Sequence, residues 1–378
     1  MKRLPFCLSF ALLLPCLCPP PAAFAAPADS AAVPAAKNPG VSAFGPRPAL
    51  PPQEPSVGPR PVRREPGTAP VAQPPGPAAT AAPGIAPKAL LKLSFSQTLA
   101  LQVGLDRLAF SPGCIDGKSG GQTTLAIQAW QISNGQAPTG SLTPEDLAKL
   151  GNPDDALALY TVTEEDDAAI CSTPKSWKEK SEMTRLGYYS LIELVAEQFH
   201  CKEDLLRRLN PELDWKTAAA GTEVTVPDTL AGEVRPGKAA RLQVNLQEKY
   251  IRAYDAKERL IAHFPCSIAK AQEKRPSGDG KVITAAKDPS YTYDPALFAD
   301  EPESKLYNGK KMIIPPGPNN PVGTAWVSLN LPGYGMHGTP KPEDIGKTGS
   351  HGCFRLANWN AEKLLRMVDA GIPVKFEP

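Results

Sequence analysis

Apolar residues recur at helical spacing in the stretch from about residue 88 to residue 210, and they predict a series of short helices. The first apolar face runs from Leu99 to Leu108 and the second from Leu125 to Trp130, after an expected N-cap in residues 120–124. Thr143 stands where it would cap a third helix. Two more helices are expected over residues 189–199 and 202–209, the latter ended by Asn210-Pro211.

The pattern changes to alternation beyond about residue 239. Apolar positions then follow a period of two, which is typical of strands with one buried face. The alternating sets are Leu242, Val244 and Leu246; Ile251 and Ala253; Ile261, Phe264, Cys266 and Ile268; and Ala325, Val327 and Leu329. An amphipathic helix from Ala361 to Val368 and a last strand from Pro373 to Phe376 complete a β-rich domain over residues 239–378.

Proline content separates the first quarter of the chain from the rest. Of the 44 prolines in 378 residues, 22 precede residue 91, and this density breaks helices and removes sheet donors. Met1-Lys2-Arg3, an apolar run from Leu4 to Leu17 and Ala23-Phe24-Ala25 are typical of a signal peptide over residues 1–25. Residues 26–87 are then expected to form a Pro/Ala-rich disordered tether.

Export to the periplasm or cell wall follows from this start of the chain. No later stretch is long and apolar enough to predict a membrane helix. The chain has 41 basic and 39 acidic residues and a net charge of +2. Residues 1–87 carry a charge of +4, so the remaining residues together carry −2. A nucleic-acid partner is therefore not expected, because it would need a basic patch.

The chemistry concentrates around one cysteine. His337 and His351, two of four histidines, lie close in sequence to Cys353, in the segments "HGT" and "SHGCFRL". A thiol needs a nearby base or positive charge to become a nucleophile, and His337 and Arg355 can supply these. Zinc binding is the alternative, but no fourth ligand is evident nearby. A buried structural cysteine is a second alternative.

These segments closely resemble the L,D-transpeptidase (YkuD-type) catalytic domain. Its pattern of His-Gly-Thr/Ser, a spacer and Ser/Thr-His-Gly-Cys-x-Arg is matched from His337 to Thr339 and from Ser350 to Leu356, and Asn320-Pro321-Val322-Gly323 is similar to a further family segment. The segment from Pro276 to Gly280 departs from the family's Thr-Pro-x-Gly. The resemblance covers most of residues 239–378 and implies a β-sandwich acyltransferase that needs no cofactor or metal.

The resemblance also implies roles for individual residues. Cys353 would be the nucleophile and His337 the general base and acid. The Gly338 carbonyl would orient His337, and the amides of Gly352 and Cys353, with His351, would stabilise an oxyanion. Ser350 and Arg355, on the cysteine loop, are further candidates for the catalytic site. Weaker candidates for lining the substrate cleft are Trp326, Tyr334 and Thr339.

Two preceding segments resemble cell-wall modules. Residues 88–152 are similar to the small helical peptidoglycan-binding domain, through "GGQTTLAIQAWQ" and "TGSLTPEDL". Residues 183–229 are similar to the βααβ LysM module, through two helices, Asn210-Pro211 and "GTEVTVP", although Gly187-Tyr188-Tyr189 replaces its usual Gly-Asp start. The fold class expected is therefore multidomain α+β: a helical bundle, a LysM-like module and a β-sandwich.

The function expected from the resemblance is an exported peptidoglycan L,D-transpeptidase. Cys353 would form a thioester with a tetrapeptide stem, release D-alanine and form 3→3 cross-links. L,D-carboxypeptidase activity and attachment of a lipoprotein to peptidoglycan are alternatives that use the same acyl-enzyme. A non-catalytic wall-binding protein is an alternative of another class. The other four cysteines after the signal peptide, Cys114, Cys171, Cys201 and Cys266, could pair in three ways, and the sequence does not choose among them.

Overall fold

A computed structural model describes residues 93–298, 302–350 and 352–378. The predicted signal peptide, the predicted tether and His351 lie outside the described residues. The described helices are α1 Phe95–Arg107, α2 Gly121–Ser133, α3 Pro144–Leu150, α4 Glu164–Ala168, α5 Trp177–Glu182, α6 Leu191–Gln198, α7 Glu203–Leu209 and α8 Asn358–Met367. No helix in this part of the chain is long and apolar enough to cross a membrane.

Local signals account for most of the helix ends. Thr143 caps α3, as predicted, because its hydroxyl accepts the backbone N–H of Asp146 at 3.1 Å. Asn210 ends α7, also as predicted. The expected side-chain cap of α2 is absent, since this helix starts after Gly120, which has no side chain to accept a bond. Ser190 caps α6 through the Glu193 amide.

The strands alternate with turns as the sequence predicts, and they are more numerous than predicted. They are β1 Leu157–Thr161, β2 Glu223–Pro227, β3 Arg241–Asn245, β4 Tyr250–Tyr254, β5 Leu260–Pro265, β6 Gly278–Lys287, β7 Tyr291–Tyr293, β8 Met312–Ile314, β9 Ala325–Leu329, β10 Gly335–His337, β11 Phe354–Arg355 and β12 Pro373–Glu377. The sequence analysis did not anticipate β1, β6, β7, β8, β10 or β11. Most of these are short, or lack clear alternation.

The β-rich domain, predicted as a β-sandwich, is built on one eight-stranded sheet in the order β11-β10-β9-β6-β12-β3-β4-β5. Strand β6 joins the two halves: its first residues pair with β12, and those from Val282 onward pair with β9. The register shifts between Val282 and Thr284, and such irregularities bend a strand. Residues from both halves and from α8 then share one core, so the sheet is curled.

Strand β1 pairs antiparallel with β2, and α6 and α7 lie between these two strands in the chain. The predicted LysM-like module was placed at residues 183–229, which excludes β1. Helices α4 and α5 are inserted after β1. Whether this βααβ unit is a LysM module stays a prediction.

Helix α1 packs on two sides at once. Leu101 and Leu105 contact the α2 and α3 side, whereas Leu99 and Val103 belong to the core of α6 and α7. Gly104 permits this arrangement, because a Cβ there would lie 1.4 Å from the carbonyl oxygen of Leu150.

The segment after α1 covers the outer edge of the sheet. The amide of Ser111 donates to the His263 carbonyl, and the His263 amide donates to the Ala109 carbonyl, both at 2.9 Å. Strand β5 is the last strand of the sheet on that side. An open edge strand invites pairing with other chains, so the helical region both protects the sheet and is held to it.

A buried ionic cluster joins three parts of the chain. The carboxylate of Asp106 in α1 lies 2.6 Å from Nδ1 of His200, which follows α6, and 3.1 Å from Nζ of Lys363 in α8. Asp106 is fully buried and Lys363 is 3% exposed. Burial alone would raise the pKa of Asp106, but the charges of Lys363 and His200 and their hydrogen bonds hold it well below its usual range.

Replacing Asp106 with asparagine should destabilise the fold, because buried Lys363 would lose its nearer counter-charge and keep only the carboxylate of Glu233, 3.5 Å from Nζ. We expect a loss of about 3 kcal/mol in the free energy of unfolding at pH 7, measured by urea denaturation with tryptophan fluorescence. The folded-state pKa of Asp106 is depressed, so its contribution is complete above the pKa of an unfolded aspartate. The difference between the wild type and Asp106→Asn should shrink as the pH falls below about 4.

The matched control is Glu145→Gln. Glu145 pairs with Lys149 across one turn of α3 at 2.8 Å, and both side chains are exposed. The expected change is below about 0.5 kcal/mol. Equal losses in the free energy of unfolding for Asp106→Asn and Glu145→Gln would show that the buried cluster stabilises the fold no more than an exposed ion pair does.

Candidate active site

Strand register places the candidate residues on one face of the sheet. His337 in β10 lies opposite Trp326 of the antiparallel strand β9 and opposite Arg355 of the parallel strand β11. Cys353 comes two residues before Arg355, so alternation turns it toward the same face. The intervening residues Val327, Met336 and Phe354 face the opposite way, into the main core. Cys353 thus directly precedes the strand that pairs with β10, and Trp326, on which His337 stacks, belongs to the same apolar group as Cys353.

The thiol of Cys353 is buried in this conformation. The side chain is 7% exposed, and its Sγ donates to the carbonyl of Gly333 at 3.4 Å. It belongs to an apolar group that we call the Cys353 cluster, made up of Leu186, Tyr291, Tyr293, Met312, Ile314, Val322, Trp326 and Cys353. Burial raises the pKa of Cys353 to about 11, although a backbone hydrogen bond from Gly335 opposes the shift.

His337 is held in one orientation by two contacts. Its Nδ1–H donates to the carbonyl oxygen of Gly338 at 2.7 Å. A carbonyl only accepts, so the lone pair is on Nε2. The imidazole also stacks on Trp326, with ring centres 5.3 Å apart and planes 19° apart.

The resting pair is electrically neutral. Burial lowers the pKa of His337 to about 4; the hydrogen bond to Gly338 opposes this shift, and the charge of Arg355 adds to it. An uncharged imidazole can accept the proton of an uncharged thiol through Nε2. Thiolate formation is therefore coupled to proton transfer to the imidazole, in contrast to a pre-formed ion pair.

Ser350 and Arg355 support the loop that carries Cys353. The Ser350 hydroxyl donates to the Cys353 carbonyl at 2.5 Å and accepts the Gly352 amide at 3.2 Å. Nη2 of Arg355 donates to the carbonyls of Thr348 and Gly349 at 3.1 and 2.9 Å. Arg355 thus braces the loop. The Gly352 amide, expected to face an oxyanion, is used within the loop here.

The weaker substrate-lining candidates are placed differently from one another. Trp326 is 3% exposed and lies under His337, so it packs beneath the site. Thr339 is buried, and its hydroxyl accepts the Lys341 amide at 3.3 Å. Tyr334 lies beside Gly352 and donates its hydroxyl to the Lys274 carbonyl at 2.6 Å. His351 lies outside the described residues.

The sequence analysis missed the residues that surround the thiol from elsewhere in the chain. Tyr293 of β7 stacks on Trp177 of α5 at 4.3 Å between ring centres, and Leu186 contributes to the Cys353 cluster from the same inserted segment. Alternating aromatics in "YTY" were the available signal for β7. Nothing local in the sequence connects Trp177 to a site more than 100 residues away.

Asn358 was also missed, at the start of α8. Its side chain is 1% exposed, and its Oδ1 accepts the Thr324 amide at 3.3 Å. A Cβ on Gly338 would lie 2.1 Å from that oxygen. The residue after His337 therefore must be glycine for Asn358 to fit. Among the described residues, no group of His, Cys, Asp and Glu is arranged to hold a metal ion.

Two family models match the chain. One, described as "L,D-transpeptidase catalytic domain", matches residues 239–375. The other, described as "Putative peptidoglycan binding domain", matches residues 96–150. Both families are those that the sequence motifs resembled.

Relatives with curated names point the same way. The chain is 26% identical over 187 residues to "Putative L,D-transpeptidase YkuD" of Bacillus licheniformis, covering 50% of this chain and 93% of that protein. It is 31% identical over 112 residues to "Putative L,D-transpeptidase in ATP synthase subunits region ORF 5" of Fuscovulum blasticum, covering 30% of this chain and 56% of that protein.

Solved structures with local similarity include two from mycobacteria. An L,D-transpeptidase from Mycobacterium smegmatis is 19% identical with a TM-score of 0.29, covering 43% of this chain and 65% of that one. L,D-transpeptidase 3 from Mycobacterium tuberculosis, in complex with a faropenem-derived adduct, is 17% identical with a TM-score of 0.29, covering 43% of this chain and 76% of that one.

The raised pKa of Cys353 predicts how its alkylation depends on pH. A thiol with a pKa of about 11 is ionised on the order of one part in 10⁴ at pH 7, whereas an ordinary cysteine is ionised at a few per cent. The direct iodoacetamide reaction of Cys353 should therefore rise about tenfold per pH unit from pH 7 to pH 10. Intact mass spectrometry measures it, with Cys353→Ala giving the background of the other thiols. A plateau near pH 8.5 would contradict the burial argument.

Proposed function

Because residues 239–375 belong to the L,D-transpeptidase catalytic domain family, we propose that this chain is a cysteine acyltransferase of peptidoglycan with Cys353 as its nucleophile. The observation that supports the proposal most is the unprotonated Nε2 of His337 on β10, the strand that pairs with β11 directly after Cys353. The matched peptidoglycan binding domain, covering residues 96–150, supports the same substrate.

In the first half-reaction, Sγ of Cys353 attacks the carbonyl carbon of the third residue of a tetrapeptide stem. The thiol proton passes to Nε2 of His337 as the carbon–sulfur bond forms. His337 then gives this proton to the departing amine. The carbon–nitrogen bond breaks, D-alanine leaves and a thioester remains on Cys353.

In the second half-reaction, an amine of a neighbouring stem attacks the thioester. His337 accepts the amine proton and returns it to the sulfur as the carbon–sulfur bond breaks. The product is a 3→3 cross-link. Water in place of the amine gives a shortened stem, and a lipoprotein amine gives a protein anchored to peptidoglycan.

The burial of Cys353 sets a condition on this reaction. With the thiol 7% exposed, a stem peptide reaches it only when part of the Cys353 cluster moves. The paired strands β7 and β8 supply four members of that cluster, Tyr291, Tyr293, Met312 and Ile314. We infer that this pair of strands opens for substrate. Export to the periplasm or cell wall remains part of the proposal, since residues 1–25 lie outside the described residues.

The test is incubation of the protein with disaccharide-tetrapeptide, followed by mass spectrometry. Loss of D-alanine with dimer formation supports transpeptidation, and tripeptide alone supports hydrolysis. Cys353→Ala should abolish both, and His337→Ala should reduce them at least 100-fold.

Cys171→Ala is the matched control and should retain activity, since Cys171 is not a member of the Cys353 cluster. Faropenem offers a check that needs no acceptor: the adduct mass should appear on the wild type and be absent from Cys353→Ala. Activity unchanged in Cys353→Ala would overturn the nucleophile assignment.

We also propose that the unit of α6 and α7 binds glycan strands. A groove of about 520 Å³ on this unit is lined by Tyr189, Arg207, Asn210, Asp214 and Trp215, among others. Tyr189 is 54% exposed. Aromatic faces with neighbouring amide and charged groups suit the apolar faces and hydroxyls of a sugar.

Trp215→Ala should therefore weaken retention on purified sacculi about tenfold, while turnover of soluble disaccharide-tetrapeptide stays within twofold. Co-sedimentation with sacculi and the mass-spectrometric assay measure the two properties. Leu159→Ala is the control, since it removes an apolar side chain that is 63% exposed on β1, outside the groove. Equal retention of Trp215→Ala and the wild type would rule out this groove.

A further inference from the structure

Helix α6 reaches into the catalytic domain through the half-buried carboxyl group of Glu197. Glu197 in α6 accepts two hydrogen bonds from Nδ2 of Asn358, at 2.9 Å to Oε2 and 3.1 Å to Oε1. The hydroxyl of Tyr188 donates to the same carboxyl at 3.1 Å. This contact joins residues 161 positions apart in the chain, and none of the roles assigned above uses it.

The other end of the Asn358 amide touches the backbone that orients His337. Its Oδ1 accepts the Thr324 amide and fits against the Cα atoms of Gly323 and Gly338, where a Cβ would come within 2.0 and 2.1 Å. The carbonyl of Gly338 in turn accepts Nδ1–H of His337 at 2.7 Å. An unbroken series of contacts therefore runs from Glu197 through Asn358 and Gly338 to the imidazole.

A second contact holds α6 against the loop between β8 and β9. Asn319 donates through Nδ2 to the carbonyl of Gly187 at 2.8 Å and to Oε1 of Glu193 at 2.9 Å. Glu193 and Glu197 are one helical turn apart on α6. The two carboxylates thus hold the catalytic domain at Asn319 and at Asn358.

We propose that Glu197 is a positioning residue for the catalytic domain: through Asn358 and Gly338 it keeps His337 in the tautomer and orientation that leave Nε2 free to accept the Cys353 proton. The accessory helix is then part of the active site's support as well as a link to the wall. The proposal rests on the proposed function only in taking His337 as the base.

The electrostatics around Glu197 reflect its removal from most of the solvent. Burial raises its pKa to about 8, while the hydrogen bonds from Asn358 and Tyr188 oppose the shift. The carboxylates of Glu193 on α6 and Glu362 on α8 add to the rise. Buried carboxyls are rare without such partners.

The experiment compares Glu197→Ala with Glu197→Gln. Glutamine keeps an oxygen that can accept the Asn358 amide, whereas alanine keeps none. Nitrogen-15 NMR of the His337 imidazole reports its tautomer and needs no turnover. We expect the wild-type spectrum in Glu197→Gln and a mixed tautomer in Glu197→Ala.

Turnover of disaccharide-tetrapeptide supplies the second readout. In Glu197→Ala, kcat should fall about 10- to 100-fold with KM within twofold, because a base slightly out of place slows the chemical step more than binding. Glu197→Gln should stay within threefold of the wild type. Glu164→Ala is the control, since Glu164 is exposed at the start of α4 and does not line the groove.

A wild-type His337 spectrum in Glu197→Ala would overturn the proposal, as would an equal change in Glu164→Ala. If the chain lacks transpeptidase activity but the spectrum changes as expected, the positioning role stands and the proposed function fails. If Glu197→Ala does not fold, Asn358→Asp serves in its place, because it sets two carboxyls face to face. The proposal then requires that Glu197→Gln added to Asn358→Asp restores the His337 spectrum; no restoration counts against it.

Discussion

The buried contact among Asp106, His200 and Lys363 sets the arrangement on which the rest of the described structure depends. A carboxylate with no access to water is tolerated only beside opposite charge, and here the partners come from two other parts of the chain. Once these three groups meet, the first helical bundle, the unit of α6 and α7, and α8 of the catalytic domain are fixed relative to one another. The helical regions therefore act as a frame for the sheet.

Two consequences of this frame reach the candidate active site. The chain after α1 covers the β5 edge, and the inserted segment with Trp177 and Leu186 packs into the Cys353 cluster. At the same time, α6 places Glu197 against Asn358. The thiol thus lies between a cover and a support that both include residues outside the matched catalytic domain.

Burial explains the resting chemistry of the site. It removes water from Cys353 and His337, which raises the pKa of the thiol and lowers that of the imidazole. The pair is then unreactive toward solvent and ready for a proton transfer when a carbonyl arrives. A substrate that moves the cover would both expose the sulfur and complete the site, which suits an enzyme acting on a polymer that surrounds it.

Much of this could be predicted from the sequence, because the relevant signals lie within a few residues. Thr143 predicts the start of a helix, and the alternation around Val327 predicts a strand. The His337 and Cys353 segments indicate a candidate nucleophile. Each of these signals lies in the local sequence. The N-terminal proline-rich region was separable for the same reason. Tertiary structure alone decided how the sheet bends at β6, which side chains cover the thiol, and that Asp106 and Glu197 link separate units. The contacts of Asp106 and Glu197 join residues 94 to 257 positions apart, and no local pattern encodes a partner at such a distance.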